Sequence, residues 1–242
     1  MSPPGRPKGE HRSAQHEGSP VIRTRVKICG ITRVEDGIAA ARAGADAIGL
    51  VFWPGSPRAV DVAQAGAIVA ALPPFVSVVG LFVDPAPEHV REVLAAVPLG
   101  LLQFHGQENA PVCRSFGHPY LKAVPVEAGA DRAGLLEYAA RYDDAAGLIF
   151  DAPPSGGLPG GTGRTFDWAL LPTDLPRPLV LSGGLDAGNV GAAVRRVRPW
   201  AVDVSSGVEA TGPDGRARKG IKDAARIAAF IDEVRNADVR PS

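Results

Sequence analysis

Short apolar runs recur along the chain from Val21 onward. They begin near Val26 (VKICGI), Ala47 (AIGLVFW), Val76 (VSVVGLFV), Gly100 (GLLQFHG), Tyr120 (YLKAVPV), Gly147 (GLIFDAP), Leu179 (LVLSGG) and Ala201 (AVDVSSG). Each is nearly continuous in apolar residues rather than alternating, as expected of parallel strands covered on both faces. The segments between them carry helical spacing. Val34, Ile38 and Ala41 share one face, as do Ala224, Ile227, Ala228, Ile231 and Val234. Glycine or proline marks most junctions, at Gly44, Pro73, Pro98, Gly117, Pro178 and Pro199. Eight strand–helix repeats predict an α/β fold, a single-domain (β/α)8 TIM barrel with parallel strands. An open doubly wound sheet would place GxGxxG after its first strand, and Cys29-Gly30-Ile31-Thr32 does not match.

The 242 residues fit one large domain. Residues 1–22 are rich in Pro and Gly and poor in aliphatic side chains, so a disordered extension is expected there, then a catalytic barrel over 23–236 and a tail over 237–242. Lys+Arg and Asp+Glu number 26 each, giving a formal charge of zero. Such a chain has no global field to draw it onto nucleic acid or a membrane, so a phosphate would be held by local geometry. No run approaches the ~20 apolar residues of a membrane helix. The two cysteines, Cys29 and Cys113, form neither a disulfide framework nor a metal-ligand spacing. A reducing cytoplasm, no metal and no cofactor are the expectations.

In a barrel of this class the chemistry sits at the C-terminal ends of the strands. Strand 1 ends in Cys29-Gly30, which exposes the thiol to the barrel mouth. A modest downward shift from ~8.5 would give useful thiolate. Cys113 falls within the helix of the fourth unit, away from the mouth, and reads as packing. Strand 6 ends in Asp151 after Leu148-Ile149-Phe150. A carboxyl there is poorly solvated, which suits it to donate a proton. Strands 7 and 8 end in Ser182-Gly183-Gly184 and Ser205-Ser206-Gly207, small residues that let backbone N–H groups converge on an anion. The loop after strand 6, with Gly160 and Gly161, adds more such backbone. Arg58 carries a guanidinium able to fork onto a carboxylate, although its position fits a solvated loop arginine equally. His105 ends strand 4 and Asp203 lies within strand 8, so both are candidates to line the pocket. A base, an acid and a phosphate clamp suit an aldose–ketose rearrangement without metal or redox cofactor.

Several segments together resemble phosphoribosylanthranilate isomerase. They are Val26-Lys27-Ile28-Cys29-Gly30-Ile31-Thr32, Ser56-Pro57-Arg58, Leu102-Gln103-Phe104-His105-Gly106, Gly160-Gly161-Thr162-Gly163, Leu181-Ser182-Gly183-Gly184-Leu185 and Val202-Asp203-Val204-Ser205-Ser206-Gly207-Val208-Glu209. The match runs in order over about residues 25–235. The resemblance implies tryptophan biosynthesis and an Amadori rearrangement. N-(5-phosphoribosyl)anthranilate would become 1-(2-carboxyphenylamino)-1-deoxyribulose 5-phosphate. It implies Cys29 as general base, Asp151 as general acid and Arg58 on the anthranilate carboxylate. Gly183, Gly184, Ser205, Ser206 and Gly207 would hold the phosphate, with Gly160 and Gly161 nearby. The chain departs from the family pattern in the Pro153–Pro159 stretch, at Arg164 and after Glu209.

Two related phosphosugar barrels fit less well. An indole-glycerol-phosphate synthase would want a catalytic lysine and glutamate at strand ends. The histidine-pathway isomerase would want aspartates ending strands 1 and 5, where this chain has Cys29 and Lys122-Ala123-Val124. A non-catalytic metabolite-binding barrel would have no use for Cys29 and Asp151. The expected partner is a small phosphorylated substrate, with the protein a monomer or homodimer.

Overall fold

All eight apolar runs form strands in a computed structural model, which describes residues 23–127, 129–152 and 165–239. They are β1 (Arg25–Cys29), β2 (Ala47–Val51), β3 (Ser77–Phe82), β4 (Leu101–Phe104), β5 (Tyr120–Pro125), β6 (Gly147–Asp151), β7 (Leu179–Leu181) and β8 (Ala201–Val204). These pair in parallel and in chain order, and β8 closes the barrel onto β1 with Lys27 opposite Asp203.

Side-chain alternation divides each strand between two environments. Ile28, Ile48, Leu102, Phe104, Leu148, Phe150 and Val202 point outward into the layer between sheet and helices, where all are fully buried. Burial of each such side chain contributes about 1.5–3 kcal/mol. The intervening residues point into the barrel. Leu121, Ala123, Ile149, Val180 and Ala201 form one inner cluster. Cys29, Val51 and Leu81 form another with the partly buried Trp53 and Val83. Residues one step further along the inward faces therefore reach the mouth.

The helices are α1 (Val34–Ala43), α2 (Val62–Ala70), α3 (Pro87–Ala96), α4 (Ala110–Arg114), α5 (Arg132–Ala140), α6 (Val190–Val197) and α7 (Ala224–Val239). Their starts follow local chemistry. Asp61, Asn109 and Asp131 each accept a hydrogen bond from a first-turn N–H, and Pro87 opens α3. Gly44 closes α1 in the left-handed conformation (φ 98°).

Three details differ from the expectation of eight uniform units. After β6 the described residues contain only a 3-10 turn, Trp168–Leu170, before Pro172. Proline lacks the N–H that would carry the turn onward. After β8 a short antiparallel pair, β9 (Glu209–Thr211) and β10 (Ala217–Lys222), precedes the last helix. Helix α7 also continues past residue 236, where a tail was expected. Ala237 explains this, because it is buried in line with Phe230 and Val234.

Candidate active site

The inward residues at the strand ends line a cleft at the C-terminal mouth of the barrel. Its lining brings together Cys29, Arg58, His105, Asp151, Ser182, Gly183, Gly184, Asp203, Ser205 and Ser206, all singled out from sequence, with Gln103 added. Gly207 does not line it. A Cβ at Gly207 would overlap the Leu185 carbonyl oxygen, so this glycine packs the loop after β8 against the loop after β7. Gly160 and Gly161 lie outside the described residues. Cys113 is buried in α4, and burial pushes its thiol up to about 12, consistent with packing.

Cys29 ends β1 with 5% exposure. Two positions earlier on the same inward face, the Lys27 ammonium donates to Asp203 Oδ1 at 2.8 Å. Desolvation pulls the Lys27 ammonium down, but the neighbouring Asp203 carboxylate outweighs it and holds the ammonium above the usual lysine range. Cys29 does not show the downward shift that would favour thiolate. Burial pushes its thiol up, Lys27 pulls it down, and Asp203 works against Lys27. The thiol also needs room, which Gly49 on β2 provides. A Cβ there would lie 2.7 Å from Cys29 Sγ and 3.1 Å from Lys27 Nζ.

Asp151 ends β6 and is equally buried. Its Oδ1 accepts the Ala152 N–H at 2.8 Å, and its Oδ2 lies 3.2 Å from His105 Nε2. His105 Nδ1 in turn lies 3.0 Å from the side-chain amide nitrogen of Gln103. Above Asp151 the loop after β7 turns through Gly183, whose φ of 88° is left-handed. A side chain there would meet Ala152 N at 2.6 Å and Asp151 Oδ1 at 3.1 Å. Only glycine combines that backbone with that approach.

Arg58 is neither solvated nor isolated. It is buried, and its Nε and Nη2 donate to the two carboxylate oxygens of Glu209 at 2.6 and 3.0 Å. Glu209 Oε1 also accepts from Gly220 N (2.8 Å) and faces Lys222 Nζ (3.4 Å). Burial pushes the Glu209 carboxyl up, but Arg58 and then Lys222 hold it below the usual range. Lys222 itself is lowered to about 8, because desolvation outweighs the attraction of Glu209. It also donates to Ser205 O and Oγ (3.0 and 3.3 Å), pinning the loop after β8.

At strands 1 and 4, sequence reasoning named the residue at the strand end but missed its inward neighbour two positions back. Lys27 stands in that relation to Cys29, and Gln103 to His105. The period-two alternation of a strand was the available signal. Nothing in the spacing pointed to Glu209 and Lys222. Among the described residues no cluster of His, Cys, Asp or Glu is arranged to hold a metal ion, and no helix is long and apolar enough to cross a membrane.

The comparisons with known proteins agree with this geometry. The chain matches the family model for N-(5'-phosphoribosyl)anthranilate isomerase over residues 26–233. It is 59% identical over 212 residues to the isomerase of that name from Pseudomonas aeruginosa (strain LESB58), covering 88% of this chain and 95% of the relative. It is 56% identical over 215 residues to the one from Alcanivorax borkumensis, covering 89% and 97%. The crystal structure of phosphoribosyl anthranilate isomerase from Thermotoga maritima superposes with a TM-score of 0.76 at 41% identity, covering 88% of this chain and 99% of that one. A further isomerase structure was solved with reduced 1-(o-carboxyphenylamino)-1-deoxyribulose 5-phosphate. It superposes with a TM-score of 0.72 at 37% identity, covering 88% and 99%. With nearly the whole barrel matched in sequence and in structure, the chain belongs to the N-(5'-phosphoribosyl)anthranilate isomerase family.

Proposed function

We propose that this chain isomerises N-(5'-phosphoribosyl)anthranilate in tryptophan biosynthesis, with Asp151 as general acid and Cys29 as general base. The observation that carries the assignment is their placement. They end β1 and β6, point inward, and line one cleft with the small-residue loops after β7 and β8. Asp151 gives a proton to the ribose ring oxygen as the C1–O bond breaks, and the anthranilate nitrogen lone pair forms C=N at C1. The Cys29 thiolate takes the C2 proton, and that electron pair forms C1=C2 while the C=N pair returns to nitrogen. The resulting enolamine gains a proton at C1 and loses one from the C2 hydroxyl, giving the ketose. Ring opening and the proton transfers that follow involve no net change of oxidation state, so the scheme needs no redox cofactor.

The phosphate is assigned to Gly183, Gly184, Ser205 and Ser206, with Gly160, Gly161 and Gly207 as neighbouring backbone. Asp203 acts from below by holding Lys27. Arg58, with Glu209 fixing one edge of its guanidinium, takes the anthranilate carboxylate. The protein works in the cytoplasm as a monomer or homodimer. The solved Thermotoga maritima relatives include monomers generated from a dimeric isomerase.

Turnover of N-(5'-phosphoribosyl)anthranilate by wild type, Cys29→Ala and Asp151→Asn tests the assignment. Each variant should lose about 10²–10⁴-fold, the usual worth of a positioned acid or base. Wild-type turnover by either variant would remove that residue from its role.

A further inference from the structure

One charge interrupts the apolar layer between sheet and helices. Lys122 points outward from β5, in register between Phe104 of β4 and Leu148 of β6. Its side chain is wholly buried, and its Nζ lies 2.8 Å from Oε2 of Glu108, which is buried as well. Taking two charges out of water offsets much of their attraction, and an apolar pair of similar volume serves stability as well or better. Stability therefore does not account for the pair, and its other contacts do. Lys122 Nζ also donates to Gly106 O at 2.6 Å and to Phe104 O at 3.5 Å, the carbonyls of the residues before and after His105. Glu108 receives the Gly106 N–H between its two oxygens, at 3.2 and 3.0 Å. Its Oε1 also accepts from Asp84 N at 2.8 Å, which ties in the loop after β3. Gly106 makes that approach possible, because a Cβ there would overlap Asp84 Oδ1.

Resting on the assignment of Asp151 as the acid, we infer that Lys122 and Glu108 are positioning residues for the isomerisation. From behind the barrel wall they hold the backbone on both sides of His105, and so keep its ring against the carboxyl that delivers the proton. Neither residue lines the cleft, whereas the His105 imidazole does, 3.2 Å from Asp151 Oδ2. The β4–β5 register ends at the Phe104–Lys122 pair, so on that side the sheet ladder stops one residue short of His105. On the β3 side the His105 N–H still donates to Phe82 O at 2.9 Å. Past the end of the ladder, the Lys122 ammonium and the Glu108 carboxylate replace the missing backbone partners. With both flanking residues held, the Cα–Cβ direction of His105 is fixed and the ring meets Asp151 in one place. An apolar residue at position 122 would fill the same space and leave these carbonyls without a donor.

Lys122→Met combined with Glu108→Gln keeps the volume and leaves no lone buried charge. With N-(5'-phosphoribosyl)anthranilate as substrate, this double variant should lower kcat about tenfold, a fraction of the ~10²-fold that a misplacement of about 1 Å costs. KM should stay nearly unchanged, because neither residue touches the cleft. The same double substitution is then made in a His105→Ala background. There it has no ring to place, so kcat should fall no further than in His105→Ala alone. A general loosening of the fold would instead lower kcat equally in both backgrounds, and that result would overturn the inference. Wild-type kcat in the folded double variant or in His105→Ala, or a raised KM with kcat kept, would overturn it too. Should the double variant fail to fold, amide hydrogen exchange in the unmodified enzyme decides. The Gly106 N–H should be protected like the β4 amides of Leu102 and Phe104. Exchange as fast as at the exposed Gly117 would show that the pair does not hold this loop. Asp151→Asn, run alongside, keeps the two readings apart. Full turnover in that variant sinks the acid assignment and this inference with it, whereas an inactive Asp151→Asn with equal losses in both backgrounds removes only the role of Lys122 and Glu108.

Discussion

Lys27 and Asp203 face each other across the β1–β8 register, with Nζ 2.8 Å from Oδ1 and both side chains almost wholly buried. Cys29 lies two residues beyond Lys27 on the same inward face, so the thiolate must form beside an ammonium whose field is partly cancelled by its own partner. Burial raises the Cys29 thiol above its ordinary value, and this cancellation explains why the adjoining lysine does not bring it back down. Substrate that displaces water and adds donors near Sγ would have to complete the activation.

The two charges act on Cys29 with opposite sign. Lys27→Met should move the Cys29 titration to higher pH, and Asp203→Asn should move it to lower pH. The pH dependence of alkylation by iodoacetamide measures this directly. Cys113 stays silent, because it is buried and its thiol is pushed up to about 12. Shifts in the same direction in both variants would show that Cys29 does not sense the pair.

The space at Gly49 makes a separate prediction. Gly49→Ala puts a methyl 2.7 Å from Cys29 Sγ, and a displaced thiol can no longer meet C2 of the substrate in line. A misplacement of about 1 Å costs about 10²-fold in rate, so kcat should fall by that order. Overpacking the inner cluster should also cost about 1–3 kcal/mol, read from urea unfolding. Retained kcat with lowered stability would mean that the thiol has slack to move.

Strand ends were legible because two independent patterns coincide there, the apolar run and the polar residue that stops it. Cys29, Asp151 and the Ser182 and Ser205 loops all follow that rule. Lys27 and Gln103 were hidden inside runs that read as apolar, although the alternation of β1 and β4 places them on the inward face. Arg58, Glu209 and Lys222 could not be joined from spacing. Arg58 and Glu209 are 151 residues apart, and they meet only because the loops after β2 and β8 converge over the closed barrel. The 3-10 turn that stands among the described residues between β6 and β7, and the β9–β10 pair, are set by local proline and turn chemistry rather than by the barrel repeat.

Glu209 grips Arg58 by both oxygens, which fixes the plane of the guanidinium toward the cleft. Glu209→Gln keeps the shape but loses one acceptor and the charge. KM for N-(5'-phosphoribosyl)anthranilate should rise about tenfold, equivalent to ~1.4 kcal/mol, while kcat changes little. Breaking a buried pair from one side costs about 3–5 kcal/mol, so the thermal midpoint should fall as well. An unchanged KM would place the anthranilate carboxylate elsewhere. Steady-state kinetics across a substrate series gives the split.

Lys222 makes stability depend on pH in a direction opposite to most lysine ion pairs. Its folded-state value is about 8, lowered by burial, against 10.5 in the unfolded chain. Between those values the unfolded chain still holds a proton that the folded chain has released. The Lys222 contribution to stability therefore increases as pH rises from about 8 toward 10.5, and is fully lost below about 8. Tyrosines and Lys27, raised in the folded state, push the other way at the alkaline end, so the comparison belongs at pH 8 to 9.5. The urea midpoint of wild type should gain on that of Lys222→Met across this interval. A constant or shrinking difference would mean that Lys222 stays fully charged against Glu209 in the folded protein, its attraction for that carboxylate outweighing the cost of burial.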